Sequence, residues 1–273
     1  MVRNGLRRPG VLLWGVLLLF FAGEVFAEER RALVLAVLDG DTAVVRGEDG
    51  SEETVRYLHI DTPELHHPRR REEELGPEAR EANRSLVEGR WVRLVTDVVP
   101  RDRYGRLLAR VVVDSPRGPV DVCVELVRRG LALPLILPPN GAGKEAIHRA
   151  LKEAQQAGRG WWSRARGRIF SCAQIWAELP LVAGSFCVLV LRVDAAEQRP
   201  TRWVLREEGS RIIVTLPRDF APDPRTFCGR TLRVWGKVTP SFSGGELAAA
   251  DPLQIEVVDN FSPSPRIPSQ ITP

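Results

Sequence analysis

The chain has 273 residues, enough for about two domains at ~150 residues each, and carries 39 Lys and Arg against 35 Asp and Glu. A hydrophobic content of 44% excludes a disordered polyelectrolyte, and a formal net charge of only +4 excludes nucleic-acid binding through a uniformly basic surface. Four cysteines, Cys123, Cys172, Cys187 and Cys228, show neither CxxC spacing nor a histidine at a zinc-like interval, which argues against a metal site made of them.

Residues 1–27 begin with Arg3, Arg7 and Arg8, run apolar from Val11 to Ala22 and close on Val25-Phe26-Ala27, the order of a secretory signal peptide cleaved after Ala27. The apolar run is shorter than the ~20 residues a membrane helix needs. A secreted or periplasmic destination is expected. Loss of Arg3, Arg7, Arg8 and Glu24 would leave a net charge of +2. Export permits disulfides, and Cys187 with Cys228 is the natural pair, since both precede strand-like runs near the C-terminus.

From Arg31 onward, RALVLAV, TAVVRG and ETVRYLHI separated by Gly-Asp and Glu-Asp-Gly turns predict three strands in meander order. GPEAREANRSLVEG at 76–89 predicts a helix, with Pro77 at its start, Glu78 and Glu81 toward its positive end and Gly89 as its stop. WVRLVTDV and RLLARVVVD predict two more strands. Short and longer helices follow at Asp121–Arg129 and Lys144–Ala157, ended by Gly130 and Gly158, the second with Ile147, Leu151 and Ala154 on one face.

Residues 166–182 read as a linker. Beyond it FCVLVLRVD, TRWVLRE, SRIIVTLP, RTLRVWGKVT and ELAAADPLQIEVV predict five strands over 183–260. The proline- and serine-rich tail 261–273 is expected to be disordered.

Three stretches carry the chemistry: DGDT at 39–42, VRYLHIDTPE at 55–64 and DRYGR at 102–106. Asp41, Asp61 and Glu64 offer oxygens for a hard cation and for proton abstraction, while Arg56 and Arg106 are forked donors suited to phosphate. Each alone has an ordinary reading: DGDT a hairpin turn, DTPE a helix entry, Arg56 a solvent-facing strand residue, Tyr104-Gly105 a turn. Taken together, three carboxylates in one site would repel one another and raise their pKa values, a conflict that a bound cation resolves.

In order and spacing these stretches resemble the thermonuclease family, the staphylococcal-nuclease-like enzymes, from about Arg31 to Ser163. GPEAREA at 76–82, ELVRRGLA at 125–132 and WWS at 161–163 extend the likeness. The resemblance implies a mainly β, α+β fold in which residues 28–165 form a closed OB-type five-stranded barrel with three helices packed against it. It implies calcium held by Asp41, Asp61 and the carbonyl of Thr62, and Glu64 orienting or deprotonating the attacking water.

It further implies Arg56 beside the scissile phosphate, Arg106 opposite it, and Arg103 and Tyr104 at the neighbouring phosphate. Arg70, in a loop with His66, His67, Arg69 and Arg71, falls where the family has a lysine touching the nucleotide. The implied activity is calcium-dependent hydrolysis of DNA and RNA, single strands included, to 3′-phosphate products by a monomer without a small-molecule cofactor. One departure stands out. After Gly130-Leu131-Ala132, where the family's staphylococcal member has tyrosines against the base, this chain reads LPLILPPNG.

The C-terminal pattern RVWGKVTPSFSGGELAAADPLQIEV is similar to bacterial single-OB nucleic-acid-binding modules, which implies a second, smaller OB-like barrel over 183–260. Trp203, Trp235 and Phe242, with Arg202, Arg206 and Arg233, are its candidates for base stacking and phosphate tracking; the alternative is that the tryptophans are core. The alternative for the whole protein is a non-catalytic nucleic-acid- or protein-binding scaffold. Retention of Asp41, Asp61, Glu64, Arg56 and Arg106 argues against it.

Overall fold

A computed structural model describes residues 28–65 and 72–258. The expected signal peptide, the 66–71 stretch containing Arg70, and the tail 261–273 lie outside the described residues.

The first half runs β1 (Glu29–Asp39), β2 (Thr42–Gly47), β3 (Glu52–Tyr57), β4 (His59–Asp61), α1 (Gly76–Val87), β5 (Trp91–Val95), β6 (Leu107–Ser115), β7 (Gly118–Asp121), α2 (Val122–Arg128), β8 (Leu133–Leu135), α3 (Lys144–Ala157) and α4 (Trp161–Ala165). Eleven residues let β1 pair with both β2 and β5, and two register irregularities against β2 bend it around the barrel. β5 pairs with β6, and β6 returns parallel to β3, closing the ring β3-β2-β1-β5-β6. This is the closed five-stranded barrel that the resemblance implied.

Alternating apolar residues fill the barrel, among them Val34, Val45, Val55, Leu94 and Val111, none more than 2% exposed. The helices close it from one side. α1 buries Ala79, Ala82, Asn83 and Val87; α2 is capped by Asp121, which accepts from the Cys123 and Val124 amides; α3 buries Ile147, Ala150, Leu151 and Ala154 and ends at Gly158.

Two strand expectations change. ETVRYLHI is not one strand: the chain breaks at Leu58, His59 takes a φ of 68°, and β4 turns away to pair with β8. WVRLVTDV stops at Val95, because the Asp97 carboxylate is taken by the amides of Gly141 and Ala142 at 2.7 and 2.9 Å.

The second half runs β9 (Ile169–Ser171), α5 (Cys172–Ala177), α6 (Leu179–Val182), β10 (Phe186–Arg192), β11 (Ala195–Gln198), β12 (Arg202–Arg206), β13 (Ile212–Pro217), β14 (Thr231–Ser241), β15 (Gly244–Ala248) and β16 (Ile255–Val257). β10 pairs with β14, β14 with β15, β15 runs parallel to β13, β13 pairs with β12 and β12 with β11, which continues β10 after two residues. The first barrel uses the same order of strands, with its parallel pair in the same place.

Residues 166–182 are more than a connection: β9 adds in parallel to β10, and Phe170, Cys172, Ile175 and Val182 enter the second core, since that much apolar surface gains by burial. ELAAADPLQIEVV is divided, because the Asp251 side chain caps a 3-10 turn at Pro252–Gln254 that separates β15 from β16. The expected Cys187–Cys228 disulfide does not form. Cys187 is buried within β10, where burial pushes its thiol up to about 12, whereas Cys228 is exposed, and all four cysteines are free.

Between the halves lies an aromatic seam. Trp161 and Phe186 meet at 4.9 Å between ring centroids, Trp162 and Phe186 at 5.9 Å, and Trp162 and Trp235 at 6.3 Å. The approach to the seam requires glycine: at Gly130, with φ +70°, an added Cβ would lie 2.2 Å from the Arg159 carbonyl oxygen, and the Gly130 carbonyl receives the Trp161 amide. Among the described residues no helix is long and apolar enough to cross a membrane.

Phe186→Ala should destabilise the protein by about 3–5 kcal/mol. Equilibrium urea unfolding, followed by tryptophan fluorescence, measures this directly; an unchanged midpoint would refute the seam as a shared core.

Candidate active site

The turn from β1 to β2 places Asp41 at the barrel mouth, where the residue is 4% exposed. Its Oδ2 accepts the Thr62 amide at 2.9 Å and lies 3.0 Å from an Arg56 terminal nitrogen; its Oδ1 accepts the Thr42 hydroxyl at 3.1 Å. The Asp41 carbonyl receives the Tyr57 amide at 2.8 Å. Gly40 makes this closeness possible, since a Cβ there would lie 2.7 Å from the Thr62 side chain.

Arg56 projects from β3 and is held from several sides. Nη1 donates to the carbonyls of Tyr57 and Ile60, both at 2.9 Å, and Nη2 reaches Asp41 and Asp61, both at 3.0 Å. The break at Leu58 is what brings the Ile60 carbonyl back to the guanidinium, so the backbone irregularity serves the arginine. Two carboxylates thus share one positive centre.

That centre does not neutralise them fully. Burial outweighs Arg56 at Asp41, and with the nearby Asp39 charge it pushes the carboxyl up to about 6. Asp61 is raised as well, by burial and by the charges of Asp41 and Glu73, against the pull of Lys237 and Arg56. Glu64, beyond Thr62 and Pro63, is raised by burial and then by Asp41, Asp61 and Glu73. The three acids singled out in the sequence therefore sense one another.

Arg106 enters from the turn before β6. Asp102 accepts its Nε at 2.7 Å and the amides of Arg106 and Tyr104 at 3.0 and 2.9 Å. Burial pushes Asp102 up, but those bonds bring its carboxyl below the usual range. Tyr104, 69% exposed, lies under both Arg103 and Arg106, at 4.8 and 5.6 Å from guanidinium carbon to ring centroid. Arg56, Asp102 and Arg106 line one cavity of about 200 Å³, completed by Leu135, Leu137 and Asn140. The segment without tyrosines thus supplies leucines at the site.

Arg70 lies outside the described residues. Four residues that sequence reasoning left unassigned take part. Asn83, 0% exposed, donates to the Asp39 carbonyl at 3.1 Å and accepts the Tyr57 hydroxyl at 3.0 Å, so α1 holds the DGDT turn. Its signal was a polar residue on the helix face shared with Ala79 and Val87. Asp102 stood in DRYGR without a role. Glu73 accepts the Glu64 amide at 2.9 Å and Lys237 Nζ at 2.6 Å. Nothing local in the sequence pointed to Lys237.

In the second half, Trp203 is 5% exposed with its indole N–H given to the Arg218 carbonyl and is core, while Trp235 is half-buried and packs against the seam. Phe242 is fully exposed, and Arg202, Arg206 and Arg233 are paired with Glu246, Glu197 and Glu256. The expected stacking face is therefore not formed by the tryptophans. A larger cavity of about 590 Å³ lies instead between Leu135–Pro138 and the second half, with Arg202, Leu216 and Arg218 in its wall.

Comparison with known proteins agrees with this geometry. The family described as staphylococcal nuclease homologue matches residues 54–164. The chain is 36% identical over 132 residues to a thermonuclease of Staphylococcus intermedius, spanning 48% of this chain and 76% of that protein. It is 34% identical over 142 residues to a thermonuclease of Staphylococcus hyicus, spanning 52% and 81%. With endonuclease YncB of Bacillus subtilis it shares 33% over 150 residues, 53% of this chain and 69% of that protein.

The raised acids give a sign-specific expectation. A carboxyl whose folded pKa lies above its unfolded value contributes stability that is present at low pH and lost as pH rises toward about 6. In chelator, Asp41→Asn should therefore stabilise the protein at pH 7.5 by on the order of 1–3 kcal/mol, with the gap closing near pH 4. Thermal unfolding across that range checks it.

Proposed function

The chain belongs to the staphylococcal nuclease family, and on that footing we propose an exported, calcium-dependent nuclease that hydrolyses DNA and RNA to 3′-phosphate products. The observation that carries the reading is Arg56: its guanidinium touches Asp41 and Asp61 and lines the cavity that Arg106 also lines, joining the acids to the phosphate-binding forks.

Asp41 and Asp61, with the Thr62 carbonyl, fit a calcium ion. The two carboxylates are hard oxygens already grouped about one positive centre, and both are pushed up by burial and like charge, a cost that a cation offsets. Among the described residues no three His, Cys, Asp or Glu groups converge as a ready metal cluster, so waters and a phosphate oxygen would complete the shell. Bound there, calcium would polarise a phosphate oxygen and offset the charge that develops on it.

The remaining work falls to side chains. Glu64 takes a proton from the attacking water, and its raised pKa moves it toward the pH at which a carboxylate is an effective base. Arg56 and Arg106 hold the phosphate oxygens from two sides, and Asp102 fixes the Nε edge of Arg106 so that its terminal nitrogens serve the phosphate. Arg103 and Tyr104 serve the adjoining phosphate at the exposed rim. The cavity against Arg202 and Arg218 supports accessory binding of the strand by the second half. The order of charged, apolar and small residues in 1–27 supports export.

Digestion of single-stranded DNA, with calcium and with chelator, tests the reading. Glu64→Gln should lower the calcium-dependent rate by ~10²–10⁴. A folded, strand-binding wild type that does not cut would favour the scaffold alternative. Arg56→Lys and Arg106→Lys should each lose on the order of 10²-fold in kcat, because an ammonium cannot span the partners of a planar fork; unchanged kcat for both would remove the arginines from the chemistry.

A further inference from the structure

Three glutamates, Glu72, Glu73 and Glu74, precede α1, and two are met by residues that lie beyond the nuclease-like segment. Glu73 is 5% exposed, and its partner is Lys237 of β14 at 2.6 Å. Glu74 is paired with Arg168 at 2.5 Å and with Arg164 at 3.7 Å.

One atom links this pairing to the catalytic segment. Glu73 Oε2 accepts both Lys237 Nζ at 2.6 Å and the backbone amide of Glu64 at 2.9 Å, while the Glu73 amide donates to the Glu64 carbonyl at 2.9 Å. The backbone that carries Glu64 is thus tied to Glu73, and Glu73 is tied to the second barrel. Lys237 is itself fixed: it stands opposite Phe186 in the β10–β14 ladder, and Phe186 is the ring wedged against Trp161 and Trp162. A lysine suits the position. Its ammonium is a point charge that reaches one oxygen, whereas a guanidinium fork prefers two. Only Lys144, Lys152 and Lys237 are lysines among 39 basic residues.

We propose that Lys237 is a positioning residue for Glu64, so that the second barrel completes the nuclease site through the relay Lys237–Glu73–Glu64 backbone. The proposal rests on the nuclease reading for its catalytic consequence, though not for the relay itself. Without the ammonium, Glu73 is a buried carboxylate with no cationic partner among the described residues, and the geometry that costs it least no longer holds the Glu64 amide. A shift of about 1 Å in a catalytic group is enough to lower a rate by on the order of 10²-fold.

The test compares Lys237→Met, Glu73→Gln and the double variant in the full chain, with single-stranded DNA and calcium. Lys237→Met should lower kcat by about 10-fold to 100-fold with KM held, and the double variant should be no worse than the worse single one. Amide hydrogen exchange supplies a readout independent of activity. In Lys237→Met the Glu64 and Glu73 amides should exchange about 10-fold faster while the β1 and β6 amides keep their rates.

Wild-type kcat together with unchanged exchange at Glu64 and Glu73 would overturn the proposal. A loss confined to KM would also overturn it, making Lys237 a strand contact, and exchange that rises throughout the barrel would reduce it to a general structural prop. If wild type itself does not cut, the nuclease reading falls, and the exchange comparison still decides the relay.

Discussion

A carboxylate withheld from water is the constraint around which the barrel mouth is built. Burying Asp41 is costly unless its oxygens are bonded, and the chain answers with the Thr62 amide, the Thr42 hydroxyl and the Arg56 guanidinium. Each partner then needs support of its own. The Thr62 amide comes close because Gly40 has no side chain, and Arg56 stays in place because the strand breaks at Leu58 and returns the Ile60 carbonyl. Asn83 fixes the turn from below. The bonds do not balance the cost, and burial still holds the Asp41 carboxyl above the usual carboxylate range.

The two halves share a strand order but use it differently. The first opens its mouth to charged groups; the second encloses Trp203, Leu205, Val214 and Leu247 and meets its surface acids with arginines. What the second half gives the first is position. Arg168 and Lys237 reach the segment ahead of α1, and Leu135–Pro138 of the first half share a cavity with Arg202 and Arg218 of the second. Two halves with the same strand order thus carry the clustered acids and arginines on one side and, on the other, the cations that pair with the segment ahead of α1.

Much of this was legible in the sequence because it is local. Alternation in β1, β2, β5 and β6 and the glycine stops of the helices are properties of neighbouring residues, and DGDT, DTPE and DRYGR keep their acids and arginines together in short motifs. What was not legible depends on distant contacts. The break at Leu58 follows from the Arg56 partners and from β8, 74 residues away in the Ile60–Pro134 pairing rather than next to it in sequence. Lys237 and Glu73 are 164 residues apart. The disulfide expectation failed because proximity in sequence pattern says nothing of which face of β10 Cys187 occupies, and size drew Trp203 into the second core and packed Trp235 against the seam.

The aromatic seam bears on how the chain is made. Trp161 and Trp162 end the first half, and Phe186, which covers them, is the twenty-fifth residue after Trp161. At ~5–20 residues per second, Phe186 is added about a second or more after Trp161, so the sequence of the first barrel is complete before the ring that packs on its indoles exists. A chain cut short between Trp162 and Phe186 would leave open the face of the indoles that Phe186 covers, an apolar edge that is adhesive in a way the finished protein is not.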